Sequence, residues 1–236
     1  MNFFGQVSDF LTNGANWRGP DGFLAQLANQ VEISALAIAS AVVFGVALGA
    51  ILGHTRRGSF IAVNSANAAR AVPSFALVVL IAIQPVIVRL QQGGFIATVL
   101  TMFALAVPPV LTNAYTGMTS VDADARDAAI GMGMTAWQVV WRVELPLALP
   151  LVMAGVRTAA VEVVATATLG AYVTVPDLGF DIFAGLATSN GAEAFSGAAL
   201  VAVLALVVDL CLAAAARAVT PAGARRGVRV ARAFSP

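Results

Sequence analysis

Val31 to Leu52 reads VEISALAIASAVVFGVALGAIL, a run whose single charge, Glu32, sits at its edge. At about 1.5 Å of rise per helical residue, a run of this length crosses the roughly 30 Å of hydrocarbon in a bilayer. His54, Arg56 and Arg57 follow at once. Basic residues favour the cytoplasmic side, so this loop is expected inside and residues 1–30, which carry Asp9 and Asp21 against Arg18, outside.

Composition points the same way over the whole chain. Of 236 residues, 59% are hydrophobic and 11% charged, against roughly 45–50% and about 25% in soluble domains. The mean hydropathy of +0.87 leaves more apolar surface than one buried core can hold, and the excess has to face lipid. All 13 basic residues are arginine, and the net charge is +1, so no basic excess suggests a nucleic-acid partner. Without lysine the chain cannot form a phosphate-gripping P-loop, and any ATP must be bound by another subunit. Cys211 and His54 are each the only residue of their kind, which rules out an intrachain disulfide and every recognised zinc spacing. The first arginine is Arg18, so the N-terminus lacks the basic start of a cleaved signal peptide and the first span is expected to target the chain.

Further spans follow from the same rule. Ser59 to Leu90 is too long for one straight crossing and is divided at Pro73, with Asn64, Ser65, Asn67 and Arg70 before it and an apolar Phe75–Val88 after it, which predicts a broken or kinked passage. A turn at 91–94 leads to a span from Phe95 to about Leu111, ending near Pro108 and Pro109. Two more run from Pro146 to about Tyr172 and from about Ser196 to Ala216. The loop between these last two, with Asp177, Asp181 and Glu193 but no arginine, is expected outside. The tail at 217–236, with Arg225, Arg226, Arg229 and Arg232, is expected in the cytoplasm. The reading is therefore a single all-α transmembrane domain over 1–236, of five or possibly six spans, multi-pass in the cytoplasmic (inner) membrane, N-terminus outside and C-terminus inside.

The cytoplasmic segment 116–145 has helical grammar of its own. Ser120 is placed to cap a helix whose first turns hold Asp122 and Asp124, acids that suit the positive end of a helix dipole. Gly131 and Gly133 interrupt it. Thr135 and Gln138 have capping-box spacing for a second short helix carrying Trp137, Val140 and Trp141 on one face. The tryptophans alone could form an interfacial belt. Ala128 and Ala129 beside Gly131 and Gly133 predict a surface with little side-chain bulk, suited to close approach of another protein.

Asp127-Ala128-Ala129, three residues, Gly133, nine residues, then Val143-Glu144-Leu145-Pro146 resembles the EAA loop of binding-protein-dependent ABC importer permeases, E-A-A-x3-G-x9-I-x-L-P. Asp127 and Val143 depart conservatively from it. Ala71–Leu77, Pro109–Gly117, Gly131–Met134, Gly155–Val161 and Ala167–Ala171 together resemble the osmoprotectant branch of that family, which serves glycine betaine, carnitine and choline. Leu178–Leu186 is similar to a further segment of the branch, although Val175-Pro176-Asp177 stands where a glycine-rich run is usual.

The resemblance implies the type I ABC importer permease fold and dimerisation with a second permease subunit, identical or distinct. It implies ABC ATPase subunits that grip the helix around Asp127, Ala128, Ala129, Gly131 and Gly133, with Leu145 and Pro146 starting the next span, and an extracytoplasmic solute-binding protein that delivers the solute. The permease itself is then non-catalytic and needs no cofactor. Methionine or another amino acid remains an alternative cargo, because the EAA loop identifies coupling rather than solute. An ATP-independent secondary transporter would predict inverted repeats or paired broken helices, and only one break, at Pro73, is visible.

Charges inside the spans cost about 2.5–3.5 kcal/mol each on insertion scales and are expected to face the bundle interior. Arg157 and Asp209 stand about 17 Å and about 12 Å from the cytoplasmic ends of their helices, a depth match for an ion pair if those helices are neighbours. Glu162 lies deeper. With Pro73, Ser74 and Asn113 it is a candidate for the translocation pathway, where a carboxylate would attract a quaternary ammonium solute; protonation or solvent exposure would also accommodate it. The spans are poor in tyrosine and tryptophan, so a tight aromatic cage is expected on the separate binding protein.

Overall fold

The computed structural model of the chain describes residues 2–56, 58, 60, 64 and 71–219. The expectations placed on Arg57, Ser59, Ser65, Asn67, Arg70 and the arginines of 220–236 lie outside them. The described residues are helical: α1 (Phe3–Thr12), α2 (Phe23–His54), α3 (Ser74–Ala82), α4 (Pro85–Val88), α5 (Gly93–Thr119), α6 (Ala123–Gly131), α7 (Ala136–Val139), a π-helical turn (Val140–Glu144), α8 (Leu145–Thr166), a 3-10 helix (Ala167–Val173), α9 (Gly179–Ala187) and α10 (Gly191–Val219). Among these residues, four stretches are long and apolar enough to cross a membrane: 23–54, 93–119, 136–173 and 191–219.

Two span limits differ from expectation. The first span begins at Phe23 rather than Val31, and Gln26 and Gln30, which precede the expected start, are both fully buried. Gln26 Nε2 donates to the Asp21 carbonyl at 2.7 Å, and Gln30 Nε2 to the Val164 carbonyl at 2.7 Å. The third expected span does not stop at Pro108 and Pro109: α5 runs through both to Thr119, taking Tyr115 and the start of the expected 116–145 segment into the helix. A proline leaves the carbonyl four residues before it without its helical donor, a loss that membrane helices tolerate when neighbours re-satisfy the backbone. Just beyond them, the Asn113 side-chain amide donates to the Pro109 carbonyl at 2.8 Å, a bond back to its own helix.

The chain forms two compact units. The first comprises 1–40, 70–106 and 160–209. Phe23, Leu178 and Val201 form a buried cluster in it, flanked by Phe10, Trp17 and Leu27. The Trp17 indole N–H is held by the Leu11 carbonyl at 2.7 Å, which satisfies the one polar atom of that large ring. Between the 3-10 helix and α9, Asp177 is wholly buried. Its Oδ1 accepts from the Gly179 N–H at 2.8 Å, whereas Oδ2 has no hydrogen-bond partner.

The second unit comprises the described residues within 41–64, 107–159 and 210–219. Its helices meet through small residues. Gly45, Gly49 and Gly53 recur every fourth position on α2, and a Cβ on each would stand 2.9 Å from Val110 Cγ1, 2.6 Å from Ala114 Cβ and 2.5 Å from Met118 Cβ of α5, respectively. On the α8 side of α5, a Cβ on Gly155 would lie 2.6 Å from Asn113 Cβ, and one on Gly117 would lie 3.0 Å from Ala148 Cβ. Lipid tails are as apolar as leucine, so van der Waals contact at close approach is what holds such helices together.

Asp177 lies outside the four apolar spans, and burial pushes its carboxyl up from 3.8 to about 8 against the lowering pull of the Gly179 N–H. Between about pH 4 and the folded value, the folded chain holds a proton that the unfolded chain has lost, so stability falls as pH rises through that window and levels off above it. Asp177→Asn should therefore flatten the decline of the apparent Tm between pH 5 and pH 8 in detergent, measured by thermal unfolding.

Candidate functional site: a docking segment braced by a buried carboxylate

The segment between α5 and α8 is built from three consecutive end-structures. Asp122, rather than Ser120, caps α6: its Oδ1 accepts from the Asp124 N–H at 3.0 Å. Ser120 is instead turned back to the Gly117 carbonyl, 2.8 Å from its Oγ. At the other end, the Gly133 N–H reaches the Ile130 carbonyl at 2.9 Å and the Met134 N–H reaches the Ala129 carbonyl at 3.2 Å. These two bonds are a Schellman motif, which needs its C′ residue in the left-handed region. Gly133 is that residue, with φ +81. The glycine of the EAA-like pattern thus has a backbone reason for being glycine.

The capping box forms as the sequence indicates: Thr135 N–H to Gln138 Oε1 at 2.9 Å, and Gln138 N–H to Thr135 Oγ1 at 3.4 Å. It starts the four-residue α7, and the chain then widens into the π-helical turn of Val140–Glu144, closed by the Leu145 N–H on the Val140 carbonyl. Pro146 follows within the first turn of α8. An α-helix kept tight up to that point would press the proline ring against the Arg142 carbonyl, and the wider turn relieves this contact.

Asp127, Ala128, Gly131 and Gly133 are all exposed. So are Ile130 and Met132 of the same segment, and Trp137 and Trp141 beyond it, the last two stacked edge to face at 5.3 Å between ring centroids. Ala129 differs from expectation. It is buried, because on a helix lying against the π-helical turn one of two adjacent alanines must point inward. The outward side of α6 therefore presents Ala128 with Asp127 and Ile130 beside it.

Beneath it lies a group that sequence reasoning missed. Glu144 is 1% exposed. Its Oε2 stands 2.7 Å from His54 Nδ1, and its Oε1 stands 3.4 Å from Arg126 Nε. Arg126 also donates from Nη2 to the His54 main-chain carbonyl at 3.2 Å, a cation at the negative end of α2. One carboxylate thus ties together the end of α2, the middle of α6 and the π-helical turn before α8. Leaving a buried carboxylate unpaired costs far more than the pairing gains, so the two partners are what keep Glu144 inside. His54 and Glu144 are 90 residues apart in sequence, and no local pattern joins them.

The candidate pathway residues are placed as follows. Pro73 precedes α3 and Ser74 opens it; Glu162 is exposed on α8. Asn113 packs with Gly155 and binds its own helix backbone, as described above. Arg157 and Asp209, on α8 and α10, are both half-buried. Near Ser74, the rings of Phe75, Tyr172 and Phe183 pack in a row, with centroids 4.9 Å and 4.2 Å apart.

Residues 41–223 match the family described as binding-protein-dependent transport system inner membrane component. The chain belongs to this family. It is a multi-pass membrane protein of the inner-membrane ABC permease type, with the all-α type I fold expected from the EAA-like loop. It is 31% identical over 219 residues to the glycine betaine/carnitine/choline transport system permease protein OpuCB of Bacillus subtilis, covering 92% of this chain and 95% of that one. To the choline transport system permease protein OpuBB of the same organism it is 34% identical, covering 83% and 88%. To the osmoprotectant import permease protein OsmW of Salmonella typhimurium it is 31% identical, covering 86% and 95%. Among solved structures, the MetNI methionine ABC transporter in an inward-facing conformation superimposes with a TM-score of 0.71 at 22% identity, covering 84% of this chain and 96% of that one. A structure described as an amino acid ABC transporter with histidines gives 0.68 at 18%, covering 92% and 98%. These two likenesses concern the fold.

A side chain at Gly133 forces a left-handed backbone on a residue that resists it, at a cost of about 1 kcal/mol or more, whereas a Cβ on Gly131 meets nothing within 4 Å. Limited proteolysis should find Gly133→Ala cut faster between α6 and α7, while Gly131→Ala resists as well as wild type or better.

Proposed function

We propose that this chain is the transmembrane permease subunit of an ATP-driven importer for osmoprotectants such as glycine betaine, choline or proline-type compatible solutes. The observation that carries the reading is the docking segment: a short helix with a locked C-terminal turn that exposes Asp127, Ala128, Ile130 and Met132, with Trp137 and Trp141 exposed beyond it. Exposed large apolar side chains gathered in one short segment mark an interaction surface, and in this family the partner is an ABC ATPase. The similarity to glycine betaine, carnitine and choline permeases over most of the chain supports the solute class.

The remaining parts follow from that assignment. Two ATPase subunits hold the docking segments of two permease subunits, identical or distinct, and a solute-binding protein delivers cargo on the opposite side of the membrane. The ends of α2 and α10, with Arg56 and Arg217, then lie in the cytoplasm with 217–236, and residues 1–30 outside. Closure of the ATPase pair moves α6 as a rigid piece and switches the spans between outward-open and inward-open states. Pro73, Ser74, Asn113 and Glu162 are assigned to the pathway, where Glu162 offers a negative charge to a quaternary ammonium group in transit, and Arg157 with Asp209 to an intramembrane ion pair.

Co-expression with ABC ATPase subunits should yield a co-purifying complex, and Gly133→Asp should lose it, since the substitution both strains the turn and adds a charge to the docking face. Wild-type chain that retains no ATPase, with uptake of radiolabelled betaine and choline persisting after ATP depletion, would overturn the reading in favour of secondary transport. Glu162→Gln should slow uptake of cationic solutes without releasing the ATPase; unchanged kinetics would remove Glu162 from the pathway.

A further inference from the structure

We propose that Glu144 is the positioning residue that passes movement of the docking helix to α2 and α8, through its two contacts with His54 and Arg126. The inference rests on the functional reading above and deepens it, because it concerns how the docking face is connected to the membrane rather than what docks there.

Geometry sets the direction of the argument. α6 is only nine residues long and is joined to its neighbours by a three-residue link from Thr119 and a glycine turn, so the chain itself transmits little force sideways. Rigid transmission needs a contact that resists both pulling and shearing. Glu144 supplies it: the carboxylate holds His54 at 2.7 Å with one oxygen and Arg126 at 3.4 Å with the other. Arg126 closes the loop by donating to the His54 carbonyl at 3.2 Å. The three residues thus form a closed triangle of polar contacts whose corners sit on three separate helical pieces. Polar contacts to a carboxylate that is itself held out of water are more directional than the apolar contacts around them. The corner at Glu144 lies in the π-helical turn, a segment whose hydrogen bonding departs from the α pattern of the helix that follows.

The arrangement also separates two tasks. The docking face consists of Ala128, Ile130, Met132 and the tryptophans, all exposed. Glu144 is buried behind it and touches nothing that docks. Its loss should therefore leave ATPase capture intact and damage the link between hydrolysis and transport.

The experiment uses the assembled transporter, permease with its ATPase subunits and binding protein, reconstituted in vesicles, with ATP hydrolysis and betaine uptake measured on the same preparation. Glu144→Gln keeps the shape and removes the charge; His54→Asn and Arg126→Lys each weaken one side of the triangle and keep the protein foldable if Glu144→Gln is not. ATPase capture and hydrolysis should be retained, and solute moved per ATP should fall about tenfold in Glu144→Gln, a coupling loss of ordinary allosteric size. The single changes should do less, and adding Arg126→Lys to Glu144→Gln should do little more, as expected for residues acting as one unit. An unchanged ratio in Glu144→Gln overturns the inference. So does loss of ATPase capture in Glu144→Gln and His54→Asn alike, because the triangle would then be maintaining the docking face rather than transmitting its motion. Wild type that holds no ATPase overturns the importer reading, and this inference with it.

Discussion

Helices in a bilayer gain little from hiding apolar surface from one another, so what holds this permease together is how closely its backbones can approach. Gly45, Gly49 and Gly53 on α2 bring that helix onto α5, and Gly155 and Gly117 allow α8 and α5 the same closeness. A side chain at any of these places would meet a neighbour at about 3 Å or less, inside ordinary van der Waals contact. The end of α2 is thereby placed beside the turn that precedes α8, and only because it is there can His54 and Arg126 share one buried carboxylate. The docking segment is in this sense supported by a stripe of absent side chains.

That dependence gives the short helix α6 an unusual standing. It has almost no core of its own: Ala129 is its one buried residue. Nine residues without a large apolar face would not hold a helix in water. Its order comes from its ends, Asp122 at the start and the Gly133 turn at the finish, while Arg126 links it inward to Glu144 and the His54 carbonyl. An element stabilised at its edges can present its outer face to a partner without rearranging.

Much of this was legible in the chain. The apolar runs mark the long helices, the Thr135 to Gln138 spacing marks the capping box, and Gly133 marks the turn, because each is a local rule whose physics sits within a few residues. The misses share a cause. Pro108 and Pro109 read as a helix end, yet α5 continues, since a proline removes one helical donor without stopping a helix that is packed among neighbours in a membrane. The first span is expected from Val31, yet Gln26 and Gln30 before it find carbonyls inside and the helix starts at Phe23. Asp122 rather than Ser120 caps α6. The triangle of Glu144, His54 and Arg126 joins residues that only tertiary packing brings together, and the glycine stripe of α2 has visible fourth-residue spacing inside a run where small residues could equally face lipid.

The pairing of Trp137 with Trp141 also makes the docking face optically self-reporting. The chain has three tryptophans, and the other, Trp17, is held in the Phe23 cluster of the first unit. With Trp17 replaced by phenylalanine, the chain's tryptophan emission would come only from two exposed, edge-to-face indoles on the surface assigned to the ATPase. Dehydration of those rings would shift their fluorescence to the blue, so arrival and departure of the partner could be followed during turnover without attaching any dye.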